Sequence, residues 1–313
     1  MVGAGFRSFN VLGVVVNTHR FGGPWTAEKL TALRKYLEAY RRIFTANDKA
    51  RYFQTIYVDA FAGTGDWQES NVAREDDNDL FAADDQPEVN DFRKGSARIS
   101  LELSSPFDRY LFIDKNRSHV KQLESMVQIE FESLNPRCKF WQGDANDLLR
   151  EFCTTHFDWK KWRAVVFLDP YGMSVSWNTI RLLAETKAVD LWILFPLAQG
   201  VNRLLTRQGE PPEGFANRLT EVFGTDDWRT EFYSSSAQSD LFSSENRLKK
   251  VATFDTIAEY WIAKLKNVFP GVSARPRFLR NSRGSPLFLL CFAASNAKGA
   301  KAALNIANDL LDA

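Results

Sequence analysis

Four short apolar runs in this chain each stop at an aspartate, and that repetition constrains the fold more than any other feature. Ile56–Val58 runs into Asp59, Tyr110–Ile113 into Asp114, Cys138–Trp141 into Gly143–Asp144, and Ala164–Leu168 into Asp169. β-Branched and aromatic residues without helical spacing read as buried strands. Between them lie stretches of helical period, such as Ser118–Phe131 with Val120, Leu123, Val127 and Phe131 inward, and Gly95–Ser96 opening a helix with Ile99, Leu101 and Leu103. A fifth run, Val189–Phe195, ends at Pro196. Alternating strands and helices imply βαβ units, right-handed crossovers and a parallel sheet. Ligands of such sheets bind at the carboxyl ends of the strands, so the register gathers the four acids into one crevice.

The first acid leads into Ala60–Phe61–Ala62–Gly63–Thr64–Gly65. Glycine there permits positive φ and close approach of a ligand to the backbone. A dinucleotide site wants a third glycine and an acid about 20 residues on. Gln68 stands at the third glycine position, and Asp114 lies 55 residues beyond Asp59 (114 − 59), or 26 once the 29 residues 66–94 are removed. The acid spacing is salvageable and the glycine triplet is not, so NAD is disfavoured. No Gly-Lys-Ser/Thr follows the turn, which excludes a Walker loop.

Formal net charge is only +1, so a nucleic-acid surface would have to be a local patch. Cys138, Cys153 and Cys291 are odd in number and scattered, as are His19, His119 and His156, so neither a disulfide framework nor a metal site is expected. A reduced, cytoplasmic setting follows. No apolar run approaches the roughly 18 residues of a membrane span, and Val11–Val16 reads as a strand or ordered arm rather than a signal peptide.

The remaining stretches fill out the architecture. Thr26 in Pro24–Trp25–Thr26 is the expected N-cap of a helix with Leu30, Leu33, Leu37, Tyr40 and Phe44 inward and Arg34, Lys35, Arg41 and Arg42 on a solvated face. Residues 66–94 hold ten acids against Arg74, Arg93 and Lys94 without periodicity, and read as a mobile or partly disordered insertion. Residues 203–250 read as a mainly helical insertion. A helix over Asp255–Val268, a hairpin of Arg275–Arg280 with Pro286–Ala293, and a helix over Lys298–Leu311 close the chain. The expected fold is α/β: one Rossmann-like domain over 1–313, with residues 1–50 an arm and helix, and a seven-stranded, mostly parallel sheet. Its last hairpin is antiparallel and helices cover both faces.

The pattern Asp59–Gly65, Asp114, Gln142–Gly143–Asp144 and Asp169–Pro170–Tyr171–Gly172 resembles the successive motifs of class I methyltransferases. The resemblance implies S-adenosylmethionine, whose amino group, ribose hydroxyls and adenine amine are donors suited to strand-end acids. It assigns the cofactor to Asp59, Phe61, Ala62, Gly63 and Gly65, to Asp114 with Lys115 for the ribose, and to Asp144 with Ala145 for the adenine. A closer resemblance is to the three-Cys-motif partner (TcmP) family. It is carried by Pro24–Trp25–Thr26 with the helix Lys29–Phe44, by Tyr57–Gly63, Gly95–Ser96, Phe167–Gly172 and Leu194–Phe195–Pro196. It implies a small cysteine-motif protein as partner. The long acidic stretch after Gly65 departs from the compact turn expected there.

For chemistry, Asp169, Pro170 and Tyr171 resemble the [D/N]-P-P-[Y/F] turn of nucleobase amino-methyltransferases, without its second proline, and more closely the D-P-F-G turn of tRNA guanine-N2 dimethyltransferases. The expected roles are acceptance of N–H bonds from an exocyclic amine by Asp169 and a proline carbonyl, and stacking by Tyr171. No metal is implied. Arg275, Arg277, Arg280 and Arg283, with Arg203, Arg207 and Arg218, suit an RNA or DNA backbone. Four hairpin arginines equally suit a solvated edge that resists aggregation. A non-catalytic partner or sensor protein on the same fold is the competing reading.

Overall fold

The computed structural model describes residues 24–65, 95–155, 157–236 and 247–312. The expectations for the amino-terminal arm and for residues 66–94 fall outside them. Five parallel strands form the sheet: β1 (Gln54–Asp59), β2 (Arg109–Asp114), β3 (Cys138–Gln142), β4 (Trp162–Leu168) and β5 (Val189–Pro196). A long strand β10 (Pro286–Ala294) adds antiparallel to β5, giving the order β3-β2-β1-β4-β5-β10. Two short strands, β8 (Gly271–Val272) and β9 (Arg277–Arg280), share the other edge of β10, pairing with Ala293–Ala294 and with Pro286–Leu290 respectively. They occupy one position, interrupted where Pro276 has no N–H to donate. The sheet therefore has the seven positions expected of the methyltransferase-like fold, with the last one split.

Strand side chains alternate between two cores, as the pleat requires. Ile56, Val58, Leu111, Ile113, Val166 and Leu168 face one, and Tyr57, Tyr110, Phe112, Val165 and Phe167 the other. The second face is covered by α1 (Pro24–Ala46), α2 (Ser96–Leu101), α3 (Arg117–Glu130) and α9 (Ala300–Asp312). The first is covered by α4 (Ala145–Thr155), α5 (Trp177–Glu185), α6 (Glu213–Phe223), α7 (Trp228–Phe232) and α8 (Phe254–Val268). In α8 a capping box between Thr253 and Thr256 fixes the start, and Trp261 stacks on Phe195 at 4.3 Å between centroids.

Several features differ from the sequence expectations. α1 begins at Pro24, so Thr26 lies inside the helix; proline suits a first helical turn because its missing N–H would have no partner there. Arg41 is not on the solvated face. It is 8% exposed, bonded to Thr55 Oγ1 and set 5.3 Å from the centre of the Phe107 ring. Helices α4 and α5 have no counterpart among the sequence expectations. Within the stretch expected to be helical, the described residues also form an antiparallel pair, β6 (Tyr233–Ser236) with β7 (Arg247–Lys250). Its serine-rich half reads as loop from local preference, and pairing with a partner strand overrides that preference. Helix α6 ends on Gly224 at φ +73°, where a Cβ would meet the Trp177 ring atom Cδ1 at 2.2 Å.

Candidate functional site

The strand order changes direction between β1 and β4: β2 and β3 lie on one side of β1, and β4 and β5 on the other. In open α/β sheets that switch point opens the ligand crevice at the carboxyl ends. Asp59 ends β1, and Asp169 follows β4 directly.

Both acids are buried. Asp59 accepts from the Phe61 N–H at 3.4 Å and the Tyr57 hydroxyl at 3.3 Å. Burial, then the nearby charge of Asp169, push its carboxyl up to about 7, against the opposing effects of a Ser96 side-chain hydrogen bond, the Phe61 N–H and Lys29. Asp169 is held by a group that the sequence did not single out. Lys29 Nζ, from α1, donates to Asp169 Oδ2 at 2.7 Å, with the two side chains 1% and 4% exposed. The same ammonium lies 5.3 Å from the centre of the Phe167 ring. Pro170 is buried, whereas Tyr171 is 44% exposed at the lip.

The titration of Asp59 has a measurable consequence. Its carboxyl ionises near 3.8 in an ordinary setting and near 7 in the fold. Between those values the native state keeps a proton that the unfolded chain has released, so this group's contribution falls as pH rises through that window and levels off above it. Relative to Asp59→Asn, the wild type is expected to lose on the order of 1–4 kcal/mol between about pH 4 and 7.5. Urea unfolding across that range checks this, and parallel pH profiles for the two proteins would contradict it.

On the other side of β1, main-chain bonds tie the turn to its neighbours. Ala62 N–H donates to the Ile113 carbonyl at 2.9 Å, and Gly63 N–H to Asp114 Oδ2 at 3.0 Å. Asp114 Oδ1 accepts from Asn116 N–H at 2.7 Å and lies 3.3 Å from His119 Nδ1. Gly143 N–H reaches the Asp114 carbonyl at 3.1 Å, joining the β3 end to the β2 end. Gly65 adopts φ +78°, and a Cβ there would press within 2.6 Å of Leu123 and Met126 on α3. The turn is thus packed on α3 as well as bonded to Asp114. Phe61 packs on the first core, Ala62 and Ala145 are buried, and Lys115 is exposed.

The helices that follow β2 and β3 are capped by other side chains. Asn116 caps α3 through Ser118 N–H at 2.8 Å, and Asp144, which is exposed, caps α4 by accepting from Asn146 N–H at 2.8 Å. Asn146 then staples two loops. Its Nδ2 donates to the Ser174 carbonyl at 2.8 Å, and its Oδ1 accepts from Ser176 N–H at 2.9 Å and the Thr179 hydroxyl at 2.7 Å. This fixes the segment after Gly172 against the β3–α4 turn, a role no sequence motif indicated. Ser174 Oγ is buried without a hydrogen bond among the described residues. A cleft of about 230 Å³ lined by Arg41, Arg42, Thr45 and Ser104 lies by the carboxyl end of α1 and the approach to β2, away from these acids.

The four hairpin arginines do not form one patch. Arg275 precedes the hairpin and pairs with Asp312 at 3.1 Å, because Pro276 interrupts the strand after it. Arg277 faces Glu28 of α1 at 3.9 Å. Arg280 lies opposite Pro286, and the hairpin turn carrying Arg283 is at the same end of the sheet as Pro196 and the acids. The three cysteines are free thiols on β3, α4 and β10. No helix among the described residues is long and apolar enough to cross a membrane.

No family model matches the sequence, and no curated protein matches it. Among solved structures, it is similar to the methyltransferase domain of bacterial CtHen1, at 12% identity over 86% of this chain and 99% of that one, TM-score 0.36. It is also similar to an O-methyltransferase from Bacillus cereus in complex with SAH, at 13% identity over 86% and 90%, TM-score 0.36. A third is protein LPL1258 from Legionella pneumophila, at 12% identity over 80% and 94%, TM-score 0.37. At TM-scores below 0.5 these likenesses decide nothing about chemistry. The fold assignment rests on this chain's own strand order and register.

Proposed function

We propose that this chain is an S-adenosylmethionine-dependent methyltransferase of the three-Cys-motif partner kind. Its acceptor is the exocyclic amine of a nucleobase in RNA or DNA, and it acts with a small cysteine-motif protein. The observation that carries the reading is the convergence at the switch point. Asp59 ends β1 and Asp169 follows the adjacent β4, both buried, while Asp114 is bonded to the glycine turn one strand away.

The donor set suits the cofactor. S-Adenosylmethionine presents an ammonium, two ribose hydroxyls and an adenine amine, and supplies an electrophilic methyl group when bound. Asp59 at the end of β1 would take the ammonium, and the carboxylate of Asp114 with Lys115 beside it the ribose. Asp144, exposed at the head of α4 with Ala145, would take the adenine amine. Phe61, Ala62, Gly63 and Gly65 shape the turn, and glycine at 65 lets it pack against Leu123 and Met126 of α3, where a Cβ would clash. At the acceptor side, Asp169 and the Pro170 carbonyl hold the N–H groups of the amine, which fixes its lone pair. Tyr171 supplies a ring for the base, and Asp169 is the group placed to receive the proton that the nitrogen sheds.

The Lys29–Asp169 bond supports a second reading. The acid proposed to hold the acceptor already holds a buried ammonium of this chain, which suits a non-catalytic protein that binds the cofactor or its partner. Transfer of tritiated methyl from S-adenosylmethionine to bulk tRNA, rRNA and DNA separates the two. The enzyme reading expects label in one of these pools and a drop of about 100-fold or more with Asp169→Asn. Cofactor binding with no label in any pool, with or without a co-purifying partner, would favour the second reading.

A further inference from the structure

The turn at 169–172 is joined to α5 by residues 173–176. Among the described residues, every hydrogen bond that ties this segment to a distant part of the chain ends on Asn146. Its other bonds are local: Ser174 N–H reaches the Tyr171 carbonyl at 3.2 Å, and the Ser176 hydroxyl meets that of Thr179 at 3.0 Å. Packing closes the opposite side. Beyond β5 the chain makes a π-helical turn, Leu197–Asn202, that lies directly against Met173. A Cβ on Gly200 would meet Met173 Cγ at 3.0 Å and Pro196 Cβ at 2.8 Å, so only glycine allows that approach. The segment is seated between this turn and Asn146.

The same asparagine holds the acid on the other side of the crevice. Its main-chain N–H donates to Asp144 Oδ1 at 2.8 Å, and the Asp147 N–H reaches that oxygen at 3.4 Å. Both bonds go to Oδ1, which leaves Oδ2 for a ligand. Asn146 therefore fixes Asp144 through its backbone and residues 173–176 through its side chain. Opening of that segment strips Asn146 of three bonds at once. The first turn of a helix has few intrahelical partners for its N–H groups, so it frays when such ties are lost. A ligand that fixes Asp144 opposes the fraying and favours the closed segment.

We infer that Asn146 is a positioning residue that couples the two sides of the site. When an adenine amine occupies Asp144, the turn bearing Asp169, Pro170 and Tyr171 is held in place for the acceptor. The inference rests on the methyltransferase reading for what each side binds. Coupling between sites is reciprocal, so the same tie raises affinity for the adenine-bearing ligand. Neither effect has the Asn146 side chain touch a ligand, because its Nδ2 and Oδ1 are spent on Ser174, Ser176 and Thr179.

The test is hydrogen exchange, read by mass spectrometry on peptides covering 171–179, with and without saturating S-adenosylhomocysteine. Calorimetry of the same proteins gives the affinity. In the wild type the ligand is expected to slow exchange there about tenfold or more. In Asn146→Ala it slows exchange less than about twofold, and affinity falls about fivefold or more. Asn146→Asp keeps the two accepted bonds and gives up the donated one, so it recovers part of the ligand-induced protection. Thr154→Ala, exposed near the end of α4, leaves protection and affinity within about twofold. Melting curves confirm that each variant is folded. If Asn146→Ala is not, Asn146→Asp carries the comparison, and protection short of wild type upholds the coupling. Ligand-induced protection that is absent from the wild type, or equal in the wild type and the Asn146 variant, would overturn it. Equal protection would come from direct contact with the ligand, and Asn146 would then be a plain structural tie that slows exchange alike in free and bound protein. If the wild type binds no S-adenosylhomocysteine, the methyltransferase reading fails and the coupling falls with it. If the wild type binds and the protection is unchanged by the variant, the coupling alone falls.

Discussion

Lys29→Ala is expected to lower the unfolding free energy by about 3–5 kcal/mol, the range for removing one partner of a buried ion pair. The bond joins residues 140 apart in sequence, at 2.7 Å, with neither side chain more than 4% exposed. Alanine would leave the Asp169 carboxylate buried without its ammonium and would also remove a buried aliphatic stem. Lys29→Met restores the stem and not the charge, so it should recover only part of the loss. The pair Lys29→Met/Asp169→Asn removes both charges and should be much closer to wild type than either single change predicts. Urea unfolding of wild type, Lys29→Met, Asp169→Asn and the pair closes a double-mutant cycle. A cost for Lys29→Ala within about 0.5 kcal/mol of wild type, as at an exposed site, would contradict the ion pair. The same bond bears on function, because an acceptor amine can reach Asp169 only if Lys29 shares the acid or withdraws.

Asp114→Ala should reduce affinity for S-adenosylhomocysteine roughly 100-fold. Two hydrogen bonds from ribose hydroxyls to a charged acceptor are worth about 1.5 kcal/mol each at the lower end, and about 2.7 kcal/mol corresponds to that factor. The substitution also takes the acceptor from Gly63 N–H and Asn116 N–H, so the turn itself loses its anchor. Asp114→Asn separates the two effects. It keeps one carbonyl oxygen for one of the two backbone N–H groups while giving up the charge, so it should be destabilised less than Asp114→Ala and still bind weakly. Calorimetric titration reads the affinity, and an Asp114→Ala protein that binds as tightly as wild type would show that this carboxylate does not hold the ribose.

Much of the fold was legible because the strands are short apolar runs whose ends carry a chemical marker. Asp59, Asp114, Asp144 and Asp169 all stand at or just past the carboxyl ends of β1 to β4, as the alternation implied. The rest depends on tertiary partners. Lys29 and Arg41 lie in phase with Leu33 and Leu37, on the buried stripe of α1. A cation in phase with an apolar stripe is a readable sign of a buried partner, although the partner itself cannot be named from spacing. Asn146 gave no such sign, since its three bonds go to Ser174, Ser176 and Thr179, about 30 residues away. The β6–β7 pair and the split last strand were hidden for a related reason: serine runs and an X-Pro step carry weak local preferences that pairing overrides.

The most direct test of the strand-end cradle is titration of S-adenosylhomocysteine into the wild-type protein, followed by calorimetry and by melting temperature. The account predicts one saturable site, and a native state stabilised by about 2.7 kcal/mol at 100 times the dissociation constant. No heat and no rise in melting temperature at millimolar ligand would contradict it.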